Sequence, residues 1–124
     1  MFKAFIIDDS KSIRMRLTQM LASLDFSVSE AEDGLDALEK IKIMPPPDLI
    51  LLDWNMPNMN GYEFLKAIKK NTNYNKVLIL MVTTENEMSQ VVKALEAGAD
   101  EYIMKPFEEE ALKDKLRIMG LTIG

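Results

Sequence analysis

At 124 residues the chain is one domain, residues 1–124, with a core large enough to fold alone. It contains neither cysteine nor histidine, which excludes thiol nucleophiles, Cys/His zinc centres and any catalysis in which an imidazole takes the proton. Fifteen basic against twenty acidic residues leave a net charge of -5, which opposes nucleic-acid binding, and no apolar run approaches the ~20 residues of a membrane span. The expected location is therefore the cytoplasm, away from nucleic acid and membrane.

Short β-branched runs alternate with stretches of helical period along the whole chain. Ala4 to Ile7 reads as the first strand, and Ile13, Leu17, Met20, Leu21 and Leu24 line the helix after it. Val28 to Ala31 follows, then a helix striped by Leu35, Leu38 and Ile41, with Asp33 and Asp36 as a capping pair. Pro45, Pro46 and Pro47 form a stiff spacer ahead of the third strand, Leu49 to Leu52. Asn60 and Glu63 cap a helix carrying Leu65 and Ile68. Val77 to Val82 is the fourth strand, and Met88, Val91, Val92 and Leu95 mark the fourth helix, with Gly98 as its left-handed stop. Tyr102 to Met104 is the fifth strand. Glu108, Glu109 and Glu110 open a last helix striped by Leu112, Leu116 and Met119, with Lys113, Lys115 and Arg117 further on, in the charge order its dipole favours. Met15, Met20, Met56, Met59 and Met81 are assigned to packing.

Five apolar strands separated by helices imply an α/β fold, a parallel sheet covered on both faces and wound with right-handed crossovers. The site of such a sheet lies beyond the carboxyl ends of its strands. Those ends carry Asp8, Asp9 and Ser10; Asp53, Trp54 and Asn55; Thr83, Thr84 and Glu85; and Lys105, Pro106 and Phe107. Each has an ordinary reading alone, since aspartates cap helices and lysines are solvated. Together they are harder to dismiss. Two unit charges ~4 Å apart repel by about 4 kcal/mol at an effective dielectric constant of 20, and Lys105 alone does not balance three aspartates. A small set of oxygen ligands suits Mg²⁺.

The pair Asp8-Asp9, Asp53 followed by Met56-Pro57 and Gly61, Thr83, and Ala97-Gly98-Ala99 leading to Tyr102 and Lys105-Pro106 fall in order at these strand ends. In this the whole chain resembles the receiver domain of two-component response regulators, and most of all the single-domain chemotaxis members. The resemblance implies a doubly wound five-stranded parallel sheet of order 2-1-3-4-5, flavodoxin-like, with five helices and a cis Lys105-Pro106 bond. It implies that Asp53 is the phosphoacceptor, with Asp8, Asp9, Asp53 and the main-chain carbonyl of Asn55 around Mg²⁺. Lys105 would pair with Asp53 and then with the phosphoryl oxygens, Thr83 would hydrogen-bond to the phosphoryl group, and the Tyr102 rotamer would follow Thr83. Asn55 and Glu85 would orient the attacking water. Two positions depart from the chemotaxis pattern: Asn60 stands where those members usually have Asp, and Thr84 where many receivers have Ala or another small residue.

The function so implied is a phosphorylation-activated switch and not a turnover enzyme. The donor histidine belongs to a histidine kinase, because this chain has none. The chain ends at Gly124 without a DNA-binding segment, so the expected output is protein binding by a monomer through its fourth helix, fifth strand and fifth helix. A flagellar motor switch component is the first expectation for the target, with a phosphatase as a further partner and a phosphorelay intermediate as the alternative role. Two other classes fit less well. A haloacid dehalogenase-type phosphatase places a carboxylate two residues after its nucleophile, where this chain has Asn55, and an amide cannot take a proton at neutral pH. An FMN carrier needs a phosphate-cradling loop after the first strand, where Asp8 and Asp9 would repel the phosphate.

Overall fold

A computed structural model describes residues 1–123, with the Glu85 side chain outside the described residues. Strand β1 (Phe2–Ile7) is the second strand of a five-stranded sheet in which β2 (Phe26–Ala31) lies on one side of it. On the other lie β3 (Leu49–Asp53), β4 (Leu78–Thr83) and β5 (Glu101–Met104) in turn, giving the order β2-β1-β3-β4-β5. All four pairings are parallel. Such pairings need long crossovers. These contain α1 (Lys11–Ser23), α2 (Gly34–Lys42), α3 (Gly61–Lys69) and α4 (Val91–Glu96), and α5 (Glu109–Ile118) closes the domain.

Alternation along the strands sorts the core into two layers. Phe5, Ile7, Ile50, Leu52, Ile79 and Met81 face a layer that includes Ala37, Ile41, Phe64, Leu65, Ile68 and Ala94. Ala4, Ile6, Leu49, Leu51, Leu80 and Val82 face one that includes Leu17, Met20, Leu21, Leu112 and Leu116. Every residue of β3 is buried, which explains its unbroken apolar run up to the closing Asp53.

The helix boundaries follow their caps. Asp33 accepts from the Asp36 amide at 2.8 Å, and Asn60 and Glu63 form a reciprocal capping box. Gly98, at φ 118°, ends α4 with its amide on the Leu95 carbonyl. The three prolines lie in the loop between α2 and β3. The structure corrects these assignments in three places. Leu35 is exposed, because α2 turns Ala37 and Ile41 inward instead. Met15 is exposed and packs into no core layer. The stretch read as one helix from Met88 to Leu95 begins as a 3₁₀ segment, Glu85–Gln90, and the tighter winding changes the phase. Val91 and Ala94 are therefore buried, while Val92 and Leu95 face solvent.

Candidate functional site

Three carboxylates meet at the carboxyl edge of the sheet. One oxygen each from Asp8, Asp9 and Asp53 lies within 4.8 Å of the others, Asp8 and Asp53 buried and Asp9 exposed. The local chain geometry enforces this. Asp8 follows β1 with its amide bonded to the Ala31 carbonyl, its Oδ1 accepts from the Ser10 amide at 2.8 Å, and its own carbonyl accepts from Arg14 at 2.6 Å. Asp53 closes β3, and Gly61 packs so tightly behind it that a Cβ there would strike the Asp53 carbonyl oxygen. Arg14 did not stand out in the sequence, because its part is to hold a main-chain carbonyl and any long basic side chain on α1 reads as solvated.

Lys105 arrives from the end of β5, before a cis Lys105-Pro106 bond, with its amide on the Thr83 carbonyl. Its Nζ donates to Asp53 Oδ1 at 3.3 Å and lies 3.8 Å from Asp8 Oδ2. One ammonium does not offset three acids. Burial, then the Asp8 charge, push the Asp53 carboxyl up to about 7 against the opposing pull of Lys105. Burial likewise raises Asp8, against the Ser10 amide and Lys105. Asp8 Oδ2 is buried without a hydrogen-bond partner. A buried orphan acceptor amid an all-oxygen cluster is what a hard divalent cation would satisfy, so the residues present fit Mg²⁺.

Thr83, at the end of β4, is buried with its hydroxyl directed at Met88 Sδ, 3.9 Å away, on the 3₁₀ segment. Tyr102 on β5 is half-buried against the core, and Lys115 from α5 covers its ring at 4.6 Å. Asn55 is exposed; its Nδ2 donates to Glu87, a residue the sequence reading passed over. Glu87 is buried, and its other oxygen accepts from the Thr84 amide at 2.8 Å. Thr84-x-x-Glu87 is a capping pattern legible in the sequence; reading the segment as a plain amphipathic helix hid it. Glu85, expected with Asn55 to orient the attacking water, has its side chain outside the described residues.

The response regulator receiver domain model matches residues 4–117. The chain is 38% identical to a Campylobacter jejuni protein described as a chemotaxis protein CheY homolog, over 98% of this chain and 95% of that one. It is similar to the structure of the chemotaxis response regulator CheY4 of Vibrio cholerae, at 36% identity and TM-score 0.87, covering 95% and 98% of the two chains. It is also similar, at 26% identity and TM-score 0.84 over 94% and 95% of the chains, to a sensor histidine kinase receiver domain from Pseudomonas aeruginosa described with magnesium coordinated in its active-site cleft.

Proposed function

Because the chain belongs to the response regulator receiver domain family, we propose that it is a chemotaxis switch in which Asp53 accepts a phosphoryl group from a CheA-like histidine kinase. One observation carries this reading: Asp53 lies buried within reach of two further carboxylates, with Lys105 at 3.3 Å. An Asp53 oxygen attacks phosphorus in line as the bond to the donor imidazole breaks, and the Lys105 ammonium moves from the carboxylate to the transferred oxygens. Asp8, Asp9, Asp53 and the Asn55 main-chain carbonyl would hold Mg²⁺, which when bound supplies the charge neutralisation that such a transfer needs. The magnesium described in the Pseudomonas aeruginosa receiver supports that assignment.

The Thr83 hydroxyl then exchanges Met88 for a phosphoryl oxygen, and Tyr102 follows it inward. This biases the face made by α4, β5 and α5, where Val92, Leu95 and Met104 are exposed apolar groups open to a target such as a flagellar switch protein. Asn55 two residues after Asp53 offers no general base, so the acyl phosphate lasts as a signal and the chain turns over no substrate. The reading places the protein in the cytoplasm as a monomer, with a phosphatase as a further partner. Incubation with acetyl phosphate and Mg²⁺ is expected to add one acid-stable, base-labile phosphoryl group, and none to Asp53→Asn. Full labelling of Asp53→Asn would remove the assignment.

A further inference from the structure

Glu87 is 6% exposed, yet among the described residues no cationic side chain forms an ion pair with it. Neutral donors hold its carboxylate instead, the Thr84 amide at Oε1 and the Asn55 amide nitrogen at Oε2. Capping the 3₁₀ segment occupies only the first oxygen. The second spans 32 positions of sequence to the loop after β3, two residues beyond Asp53. That cross-link has a chemical consequence for Asn55. An ionised carboxylate only accepts hydrogen bonds, so the Asn55 atom that faces it is Nδ2, and the carbonyl oxygen Oδ1 is turned away from Glu87. An amide left to itself presents either end.

The geometry points to Glu87 as a positioning residue for loss of the phosphoryl group: by holding Asn55 Nδ2 it presents Oδ1 as the acceptor that aligns the attacking water. In that step water oxygen bonds to phosphorus and the bond from phosphorus to Asp53 breaks. The Asp53 carboxylate departs with the bonding pair, and the proton released by the water passes to solvent, leaving inorganic phosphate. Asn55 orients the water and takes no proton. Glu87 acts only through Asn55 and touches neither water nor phosphorus. The inference rests on Asp53 being the phosphoacceptor.

The test is a double-mutant cycle on the full chain, labelled with radioactive acetyl phosphate and Mg²⁺, freed of donor and followed for loss of label. Glu87→Ala and Asn55→Ala are each expected to slow the loss about three- to tenfold, the worth of one hydrogen bond. The double variant should be no slower than Asn55→Ala alone. A purely structural role of Glu87 predicts effects that multiply. Glu87→Gln keeps the side-chain shape but has one acceptor oxygen for two donors, and it carries the same cycle if the alanine variant does not fold. Labelled Glu87 variants that lose phosphate at the parent rate, or whose effects multiply with that of Asn55→Ala, overturn the role of Glu87. A parent protein that takes up no label overturns the phosphoacceptor reading instead.

Discussion

Helix α3 and the segment from Glu85 to Glu96 hold matching places in the fold: each follows a strand that ends in a site residue, Asp53 or Thr83, and each covers the same face of the sheet. Their attachment differs. Both open on a capping box, but Gly61 seats α3 against the Asp53 backbone, and nine residues of helix bury Phe64, Leu65 and Ile68. The other segment spends six residues in 3₁₀ winding before six of α-helix, buries Val91 and Ala94, and leaves Val92 and Leu95 in water. Deep burial on one side fixes Asp53 in place, whereas thin burial on the other leaves a segment held by fewer apolar contacts.

Phe64→Ala is expected to cost about 4 kcal/mol in urea unfolding, and Leu95→Ala less than about 0.5 kcal/mol. Equal costs would break the contrast between the two segments. A second measurement addresses the charge that the well-anchored side must hold. The Asp53 carboxyl titrates near 7 in the folded, metal-free chain against 3.8 as its ordinary value, so the native state binds that proton more tightly. Its contribution to stability is complete below pH 3.8 and is lost as the pH rises through 7. Asp53→Asn should therefore be more stable than the parent at pH 8 by about 2 kcal/mol, less than the full linkage value because the Lys105 pair is also lost. That advantage should shrink as the pH falls from 7 towards 4. Stability curves that stay parallel from pH 8 to pH 4 would contradict the charge crowding. The smallest effect belongs at the root of the loosely held segment. Thr84→Ala is expected to speed phosphorylation by small donors more than hydrolysis, by several-fold at most, about 1 kcal/mol of barrier. Equal changes in both rate constants would show that the Thr84 side chain does not narrow the route to phosphorus.

The same contrast decided what the sequence made legible. Asp8, Asp9, Asp53 and Lys105 could be brought together in advance because each terminates a strand of a parallel sheet, and topology alone carries such ends to one edge. The Asn60 cap was equally plain, since its partner Glu63 is three residues away. Glu87 has a capping partner in Thr84, but its burial and its bond to Asn55 were not plain, because they depend on 3₁₀ winding that the apolar spacing of Met88, Val91, Val92 and Leu95 disguises as α-helix. Local pattern states which residues are apolar but not how many fall on each turn. The exposed Leu35 has the same origin: a stripe read at fixed period assigns an inward face, and packing against the sheet selects neighbouring residues; Met15 was assigned by residue type alone, which says nothing of its face on α1.

Trp54, the single tryptophan, stands one residue after Asp53 and stacks on Tyr62 with ring centroids 5.7 Å apart. The ammonium of Lys93, on α4, lies 4.5 Å from the centre of that Tyr62 ring. The chromophore next to Asp53 in sequence is thus linked, through a single intervening ring, to a cation on the loosely held helix. Indole emission responds to nearby charge, so withdrawal of Lys93 and arrival of charge at Asp53 would both register in one spectrum. Under the proposed function a single emission spectrum would time those two events against each other without a label.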